Sequence, residues 1–348
     1  MLWMSFIDII LPFKNEVAYI EKAILSILPQ LDFINQVIAI DDYSDDFSYK
    51  IVEKYLSNTK KLLLIKNTEC LGTLNSIRKG IEVSTAKYVS IISANDFVHT
   101  SLYKKAINDL QTYKNEPPGL WSSLVWDLYP NGVTKISVIS LPSVFSKKIS
   151  PQESSKLLLK MGPWFEGASL IFLRRALIEN RIAFRSELSF FSDTITCALI
   201  VEKYGCYFRA EPLAYNRVQP SSFNLIEKES FVKYNQVLNF INQISEETWP
   251  NSLLIERFKS RLLASYLASN LDKNNTEFLL NTPINLKKYT SIFNYKIICY
   301  LINIIFVLYC RRFDIVSNLR SRIFLFSILR AKNILKTSKE FHFLIYKK

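Results

Sequence analysis

Acidic and amide side chains recur directly after short apolar runs in the first hundred residues. These positions are Asn15 with Glu16, Asp41 with Asp42, Asn67, and Asn95 with Asp96. Carboxylates accept hydrogen bonds from sugar hydroxyls and from an imide N–H, and they bind divalent cations that bridge phosphates. Turn formation explains any one of these positions alone, since Asn and Asp are common turn residues. The whole set favours a ligand that combines a sugar, a base and a phosphate.

The apolar runs that precede these residues predict the elements that position them. The runs are residues 6–11, 36–42, 61–67 and 89–92, and each is followed by a segment with helical apolar spacing. Continuous apolar runs are typical of strands that are buried on both faces, so the pattern predicts a mostly parallel sheet between helices. Carboxyl ends of parallel strands meet at one edge, which brings the polar residues together. Asn15 is predicted to cap the first helix.

Other functional classes are disfavoured by what the composition lacks. The chain has seven glycines and contains neither GxGxxG nor GxxxxGK[ST], which weakens dinucleotide dehydrogenase and P-loop interpretations. Its five cysteines form no CxxC pair, and His99 and His342 are far apart in sequence. This pattern argues against a zinc site or a disulfide framework and fits a reducing compartment. The first sixteen residues lack a basic start, so they predict a strand rather than a signal peptide.

The ordered set of motifs resembles family 2 of the glycosyltransferases, which have the GT-A fold. The matching pieces are IILPFKNE (9–16), AIDDYSDD (39–46), Asn67 with Gly72, SAND (93–96), and a segment from 191 to 218 that begins FSDTIT. The resemblance covers about residues 6–225. It implies an α/β GT-A domain with a mostly parallel central sheet over residues 1–225. Beyond that domain the sequence pattern itself predicts an α-helical, basic region over 226–348.

The resemblance also implies a role for individual residues. Those assigned to the nucleotide sugar are Pro12, Phe13, Glu16, Asp42, Gly72, Arg78 and Asn95. Asp42 would accept from the base N–H, and Asp96 would hold a divalent cation, Mg or Mn, on the diphosphate of a UDP-linked donor. Asp193 would be the general base.

The chain departs from the family pattern at several of these positions. Ser93 and Asn95 stand where aspartates are common, which leaves Asp96 as the one certain anionic ligand and puts the strength of metal binding in doubt. Arg78 stands where an Asn is expected, and it either faces the diphosphate or is solvated. Gln219 occupies a place where many relatives have His.

Residues on the acceptor side carry two interpretations each. Trp164 and Glu166 are suitable partners for a sugar, although a tryptophan is as often a core residue. Ser192 as N-cap with Asp193 at the first helical position is an ordinary helix start, and Gly205 is predicted to end that helix. The same helix N-terminus would keep a catalytic carboxylate ionised. Ser150, Pro151 and Glu153 predict a capping box.

The last 63 residues concentrate the charge of the chain. From Leu286 to Lys348 there are thirteen Lys or Arg against Asp314 and Glu340, a net +11 out of +13 for the whole chain. The uncharged stretch 297–310 would span only about 21 Å as a helix, less than the ~30 Å of a hydrocarbon core. It is therefore predicted to be a core helix or an interfacial segment. An anionic membrane surface is the expected partner of the tail, rather than nucleic acid.

These observations predict an inverting glycosyltransferase that moves a sugar from a nucleotide sugar to a hydroxyl of a glycan or lipid-linked acceptor. The expected setting is bacterial cell-surface polysaccharide assembly, in the cytoplasm or peripheral on the inner face of the membrane. One alternative is an inactive GT-A binding or scaffold protein, suggested by Ser93 and Asn95. Another is a sugar-nucleotide nucleotidyltransferase, which should carry a Gly-rich basic signature where this chain has FKNE.

Overall fold

The computed structural model describes residues 6–56, 59–137, 141–219, 231–247, 253–259 and 262. The strands are β1 Ile7–Phe13, β2 Gln36–Asp41, β3 Leu62–Lys66, β4 Tyr88–Ile91, β5 Phe97–Val98, β6 Leu120–Leu128, β7 Thr134–Ser137, β8 Lys147–Ile149, β9 Ile171–Leu173 and β10 Cys206–Arg217. The α-helices are α1 Ile20–Ile27, α2 Ser48–Leu56, α3 Thr73–Val83, α4 Leu102–Gln111, α5 Pro151–Met161, α6 Arg174–Glu179, α7 Ser192–Tyr204 and α8 Phe231–Glu247. Short 3₁₀ helices span Leu28–Phe33, Gly167–Ser169 and Ser186–Phe191.

In the described residues one sheet of ten strands forms the centre of the fold. Its order is β3-β2-β1-β4-β9-β6-β10-β5, with β7 paired to β6 and β8 paired to β10. The first four strands of this order run parallel, and β6 and β10 are also parallel to each other. β9 is antiparallel to both of its neighbours, and β5 is antiparallel to β10. The predicted α/β class with a mostly parallel sheet is confirmed.

The core follows from the continuous apolar runs that predicted these strands. Every residue of β1 is buried, and β2 is buried from Val37 onward, because helices cover both faces of the parallel half. β1 extends past Pro12 to Phe13, where a strand end had been predicted. The proline is tolerated because it removes only one N–H donor from the strand, and its carbonyl can still accept a hydrogen bond.

A charged residue inside β1 is explained by its hydrogen bonds. Asp8 is fully buried, yet its carboxylate accepts from the side chains of Asn35 (2.7 Å) and Ser84 (2.7 Å). The backbone amides of Thr85 and Ala86 also donate to it, at 2.9 and 3.0 Å. A buried carboxylate is tolerated when its lone pairs are satisfied in this way. Asp8 therefore fixes the turn before β4, at the sheet edge opposite the polar cluster.

At the N-termini of the helices, one predicted cap is confirmed and two are wrong. Ser150 caps α5 by accepting from the amide of Glu153, as predicted. Asn15 does not cap α1, which begins at Ile20 after a turn. Ser192 is not an N-cap either, since the 3₁₀ helix before it runs directly into α7 and makes Ser192 the first helical residue.

Gly205 ends α7, as predicted. Its φ is 67°, and a Cβ there would lie 2.5 Å from the backbone oxygen of Ile149. Both the backbone conformation and the close approach of β8 therefore require glycine at this position.

The described part of the C-terminal region is helical and joins the same core. Val237 and Ile241 of α8 are fully buried, and α8 packs against the 3₁₀ helix Ser186–Phe191. The stretch 297–310 and the basic tail lie outside the described residues, so the predictions for them stay predictions, as does a domain boundary near residue 225. Within the described ranges no helix has the length and apolarity needed to cross a bilayer.

Candidate active site

The loops that follow β1 and β2 are tied together at the carboxyl edge of the sheet. Amides of the first loop donate to side chains of the second, in the pairs Asn15 to Ser44 (3.1 Å), Glu16 to Ser48 (2.7 Å) and Val17 to Asp46 (3.0 Å). The side chain of Asn15 accepts in return from the amide of Asp45, at 3.0 Å. This contact explains why the side chain of Asn15, whose φ is 56°, binds the loop after β2 and does not cap α1. The two loops form one rigid rim.

Asp42 organises the neighbouring part of this edge. Its Oδ1 accepts from the side chain of Asn67 (2.9 Å) and the amide of Leu71 (2.8 Å), and its Oδ2 accepts from the amide of Gly72 (2.8 Å). Burial alone would raise the pKa of Asp42, but these hydrogen bonds outweigh it and leave the pKa below its usual value. Asp42 is therefore an ionised acceptor, and its Oδ2 also accepts from the thiol of Cys70 at 3.6 Å.

Gly72 precedes α3 in a conformation that only glycine adopts readily. Its φ is 84°, and no heavy atom lies within 4 Å of the position where a Cβ would sit. Backbone geometry, rather than crowding, thus explains the glycine. The open space above it leaves room for a ligand between the start of α3 and Asp42.

Two lysines add positive charge beside Asp42. Lys79 of α3 donates to the side-chain oxygen of Asn67 at 2.8 Å, and Lys14 donates to the sulfur of Cys70 at 3.1 Å. Arg78, the predicted diphosphate residue, is the neighbour of Lys79 and is half-buried on α3. Lys79 therefore binds the same side-chain amide of Asn67 that donates to Asp42. Nothing in the sequence distinguished this lysine.

Asp96 lies in the turn between β4 and β5. It is buried, and its Oδ1 accepts from the amide of Arg217 at 2.8 Å. Arg217 also donates from Nε to the carbonyl of Asn95 at 3.0 Å. The antiparallel pairing of β5 with β10 brings these residues together, since Phe97 is the partner of Tyr215.

The surroundings of Asp96 are strongly acidic. Burial raises the pKa of Asp96 to about 7. Arg217 opposes this rise through its amide and its charge, whereas the nearby carboxylates Glu16 and Asp127 add to it. Burial likewise raises the pKa of Glu16 to about 6, helped by Asp46 and opposed by Arg217. Several carboxyl groups thus converge where their negative charges repel each other, which is a setting that a cation relieves.

The donor set fits a cation that takes most of its ligands from a substrate. Among the described residues no group of three or more His, Cys, Asp or Glu side chains is arranged to hold a metal alone. Mg²⁺ and similar ions are commonly held by one or two carboxylates, with substrate phosphates and water completing the shell. Asp96 offers Oδ2 for this purpose because Oδ1 is held by Arg217. The site therefore suits a phosphate-bridging cation and not a permanent metal.

Asp193 lies at the beginning of α7, beside the 3₁₀ helix Gly167–Ser169. A Cβ on Gly167 would lie 3.8 Å from Oδ2 of Asp193. That 3₁₀ helix packs against β4, β5, β6 and β10, which places Asp193 on the side of the sheet edge that carries the Asp96 turn. The side chain is exposed, yet desolvation raises its pKa to about 6. The Asp193 carboxylate thus faces Gly167 and keeps contact with solvent.

The other acceptor-side candidates differ in exposure. Trp164 is 2% exposed and packs on Phe165 with ring centroids 4.7 Å apart, so it is a core aromatic and offers no stacking surface. Glu166 is half-buried and accepts from the hydroxyl of Ser137 at 2.9 Å, next to Gly167. A further carboxylate, Glu187 of the 3₁₀ helix Ser186–Phe191, is a weak base because the guanidinium of Arg185 lowers its pKa to about 2. Asp193, which is exposed, and Glu166, which is half-buried, remain the candidate carboxylates on the acceptor side.

The remaining predicted residues line the end of β1 and the Asp96 turn. Pro12 and Phe13 are buried, and the carbonyl of Phe13 accepts from the amide of Asp42 at 2.8 Å. Asn95 is half-buried in the turn that Arg217 holds. These positions bring the predicted nucleotide residues to one edge of the sheet. Their contacts with a nucleotide stay predictions.

Comparisons with known proteins bear on this geometry. Residues 8–116 match the sequence model described as "Glycosyl transferase family 2". An uncharacterized glycosyltransferase of Haemophilus influenzae is 29% identical over 105 residues, which is 30% of this chain and 42% of that protein. The uncharacterized glycosyltransferase YibD of Escherichia coli is 29% identical over 98 residues, covering 28% of each chain.

Over residues 8–116 the chain is thus similar to glycosyl transferase family 2. The match contains β1 to β4, the Asp96 turn and α4, and therefore the donor half of the site. The matched region spans less than half the length of the curated relatives named above.

Solved structures extend the likeness over the rest of the glycosyltransferase fold. S. aureus TarS 1–349 in complex with UDP-GlcNAc superposes with a TM-score of 0.59 at 14% identity, over 96% of this chain and 92% of that one. The mannosyltransferase PcManGT from Pyrobaculum calidifontis, in complex with GDP-Man and Mn²⁺, has a TM-score of 0.52 at 13% identity, over 97% of this chain and 89% of that one. At these identities the likeness shows the fold, and the GT-A class is confirmed.

Proposed function

We propose that the protein transfers a sugar from a nucleotide-sugar donor to a hydroxyl group of a glycan or lipid-linked acceptor. The observation that carries this proposal is that Asp42 and Asp96 follow β2 and β4, the two strands that flank β1 in parallel, so that both lie at the carboxyl edge of one sheet. Asp42 and the open space at Gly72 suit a base and its diphosphate. The family match over residues 8–116 supports the same assignment.

Asp193 is the residue we assign to deprotonation of the acceptor. Its pKa of about 6 leaves it ionised at neutral pH and close enough to the working pH to accept a proton efficiently. As Oδ takes the hydroxyl proton, the acceptor oxygen forms a bond to the anomeric carbon. The bond from that carbon to the diphosphate breaks on the opposite face, and the nucleoside diphosphate leaves with the electron pair. One direct displacement of this kind inverts the anomeric configuration.

The donor half of the site binds and orients. Asp42 accepts from the base, and the rigid rim of the β1 and β2 loops fixes the nucleoside. Asp96 would hold the divalent cation, with Glu16 nearby, and a bound Mg²⁺ or Mn²⁺ would neutralise charge on the departing diphosphate. TarS bound UDP-GlcNAc and PcManGT bound GDP-Man with Mn²⁺ in their structures, which supports a donor of this class.

A UDP-linked donor, an acceptor in cell-surface polysaccharide assembly and a peripheral position on the inner face of a membrane are further parts of the proposal. The net charge of +11 on the last 63 residues supports contact with an anionic surface.

A binding screen followed by a transfer assay tests the proposal. The full chain is heated with each of several UDP-, GDP- and TDP-sugars in the presence of MnCl₂, since a ligand that binds the folded state raises the melting temperature. The donor that stabilises most is then incubated with simple sugar and lipid-linked acceptors. Release of the nucleoside diphosphate that depends on acceptor supports transfer. Donor binding without any release supports the scaffold alternative, and release of pyrophosphate from a nucleoside triphosphate supports a nucleotidyltransferase.

A further inference from the structure

Arg217, the last residue of β10, contacts three separate parts of the proposed donor site. Its amide donates to Oδ1 of Asp96 at 2.8 Å, and its Nε donates to the carbonyl of Asn95 at 3.0 Å. Its guanidinium carbon lies 4.7 Å from the ring centroid of Tyr19 and 5.8 Å from that of Phe97.

The aromatic neighbours of Arg217 are themselves held in place. Phe97 stacks on Tyr215 with centroids 4.5 Å apart and an interplanar angle of 10°, which fixes β5 on β10. Tyr19 closes the turn after Glu16, because its amide donates to the carbonyl of Glu16 at 2.9 Å. The planar guanidinium therefore lies close to both rings while its Nε donates to the carbonyl of Asn95.

From this arrangement we infer that Arg217 is the positioning residue for Asp96, and that it sets how strongly a divalent cation couples to nucleotide binding. This inference rests on the proposed donor site. Arg217 does not touch the donor in this assignment. It braces the turn from behind, against α1, so that Oδ2 of Asp96 is presented at a fixed place.

Positioning matters here because a single carboxylate serves the cation. A cation that is held mainly by substrate phosphates requires its protein ligand within about 0.5 Å of the productive place. If the Asn95 carbonyl loses its donor, the turn can shift, and Asp96 then meets the cation only in a fraction of the molecules. Affinity for the nucleotide alone depends on the Asp42 side of the site and should not change.

Calorimetric titration separates these two affinities without any turnover. UDP and GDP are titrated into the full chain with and without MnCl₂, and the ratio of the two dissociation constants gives the cation enhancement. The variants are Arg217→Gln, Arg217→Lys and Tyr19→Leu. Arg175→Gln is the control, since Arg175 is an exposed arginine paired with Glu179 on α6. Thermal melts of each variant establish that it is folded.

We expect Arg217→Gln to lose cation enhancement by about tenfold while the cation-free affinity stays within about twofold. Tyr19→Leu should lose about two- to fivefold, since it removes the ring but leaves the backbone contact to Asp96. Arg217→Lys should behave like Arg217→Gln, because a lysine has neither the plane nor the fixed N–H geometry. If Arg217→Gln fails to fold, Tyr19→Leu carries the same test.

A double-mutant cycle with Asp96→Asn identifies the route of the effect. In the Asp96→Asn background Arg217→Gln should reduce the cation enhancement no further. An unchanged enhancement in Arg217→Gln, or full retention in Arg217→Lys, would overturn the positioning role. If the unmodified chain binds neither nucleotide under any condition, the proposed function fails, and that outcome is distinct from the failure of the inference alone.

Discussion

Replacing Asp193 by Asn tests the catalytic assignment and the helix-cap alternative in one variant. The amide keeps the shape of the side chain but cannot take a proton, so the transfer rate should fall by about 10²- to 10⁴-fold with donor binding intact. The structure also changes the expected effect on stability. Asp193 makes no N-cap hydrogen bond, because Phe191 is the N-cap and Ser192 already lies inside α7.

The stability effect follows from the raised pKa. In the folded protein the pKa of Asp193 rises from 3.8 to about 6, so the native state binds the proton more tightly than the unfolded chain does. The resulting stabilisation is fully present below about pH 4 and is lost as the pH rises through about 6. Two pKa units correspond to at most about 3 kcal/mol. Because the side chain is exposed, solvent screening reduces this figure to about 1 kcal/mol or less.

Above about pH 6 the folded protein must keep Asp193 ionised, which costs the stabilisation given above. The attraction between the ionised carboxylate and the N-terminus of α7 offsets this by roughly 0.3 to 1 kcal/mol. We therefore expect Asp193→Asn to melt at the same temperature as the unmodified protein, or slightly higher, at pH 8. Glu21→Gln is a matched control, since Glu21 is an exposed first-turn carboxylate of α1 that is bound by Lys54 and Tyr55. It should melt slightly lower and transfer sugar normally.

Measurements of melting temperature and transfer rate from pH 5 to 9 decide between the two roles. The unmodified protein should lose activity about tenfold per pH unit below about pH 6, since only ionised Asp193 accepts the proton. An Asp193→Asn variant that melts lower and transfers at the normal rate would refute the reasoning, and it would move the assignment to Glu166.

Three further predictions concern the donor site and the tail. Asp42→Ala should weaken nucleotide binding even without a cation and should lower the melting temperature, since the donors on Asn67, Leu71 and Gly72 lose their acceptor. Calorimetry without MnCl₂ measures the nucleotide affinity, and an affinity equal to that of the unmodified protein would contradict the prediction. Gly72→Ala should cost about 1 to 2 kcal/mol because its φ of 84° is unfavourable for alanine, although nothing would clash with the new methyl group; denaturant melts measure the cost, and an unchanged midpoint would count against the backbone argument. A chain truncated near Asn285 should no longer sediment with anionic liposomes, whereas the full chain should do so at low salt and detach as salt rises; a full chain that ignores the liposomes would show that its basic residues are only solvated.

The donor half of the fold could be predicted from sequence because its contacts are local. Each apolar run is followed by its own helix, and neighbouring parallel strands bring Asp42 and Asn67 within hydrogen-bond distance. The strand limits differ from prediction mainly at β1, which continues through Pro12. The loop contact of Asn15 with Asp45 could not be foreseen, because Asn is equally suited to a cap and to a left-handed turn.

The rest of the site depends on contacts between residues that are far apart in the chain. Arg217 reaches Asp96 across 121 positions, through the pairing of a two-residue strand that has no sequence signature. The only sequence signal for Arg217 was its place near the end of the 191–218 segment that resembles the family. The burial of Trp164 is equally invisible in sequence, since an aromatic residue beside Glu166 suits a sugar site as well as a core.

This difference has a consequence for how the site tolerates change. Asp42 is bound by a neighbouring strand, a turn and the start of α3, all within the segment that matches family 2. Asp96 lies in the same segment, but its placement depends on β10, which lies outside that segment. Substitutions at the end of β10 should therefore alter the cation-dependent part of donor binding and spare the recognition of the base. Nucleotide recognition and cation coupling can thus change independently, although both are built on the edge of one sheet.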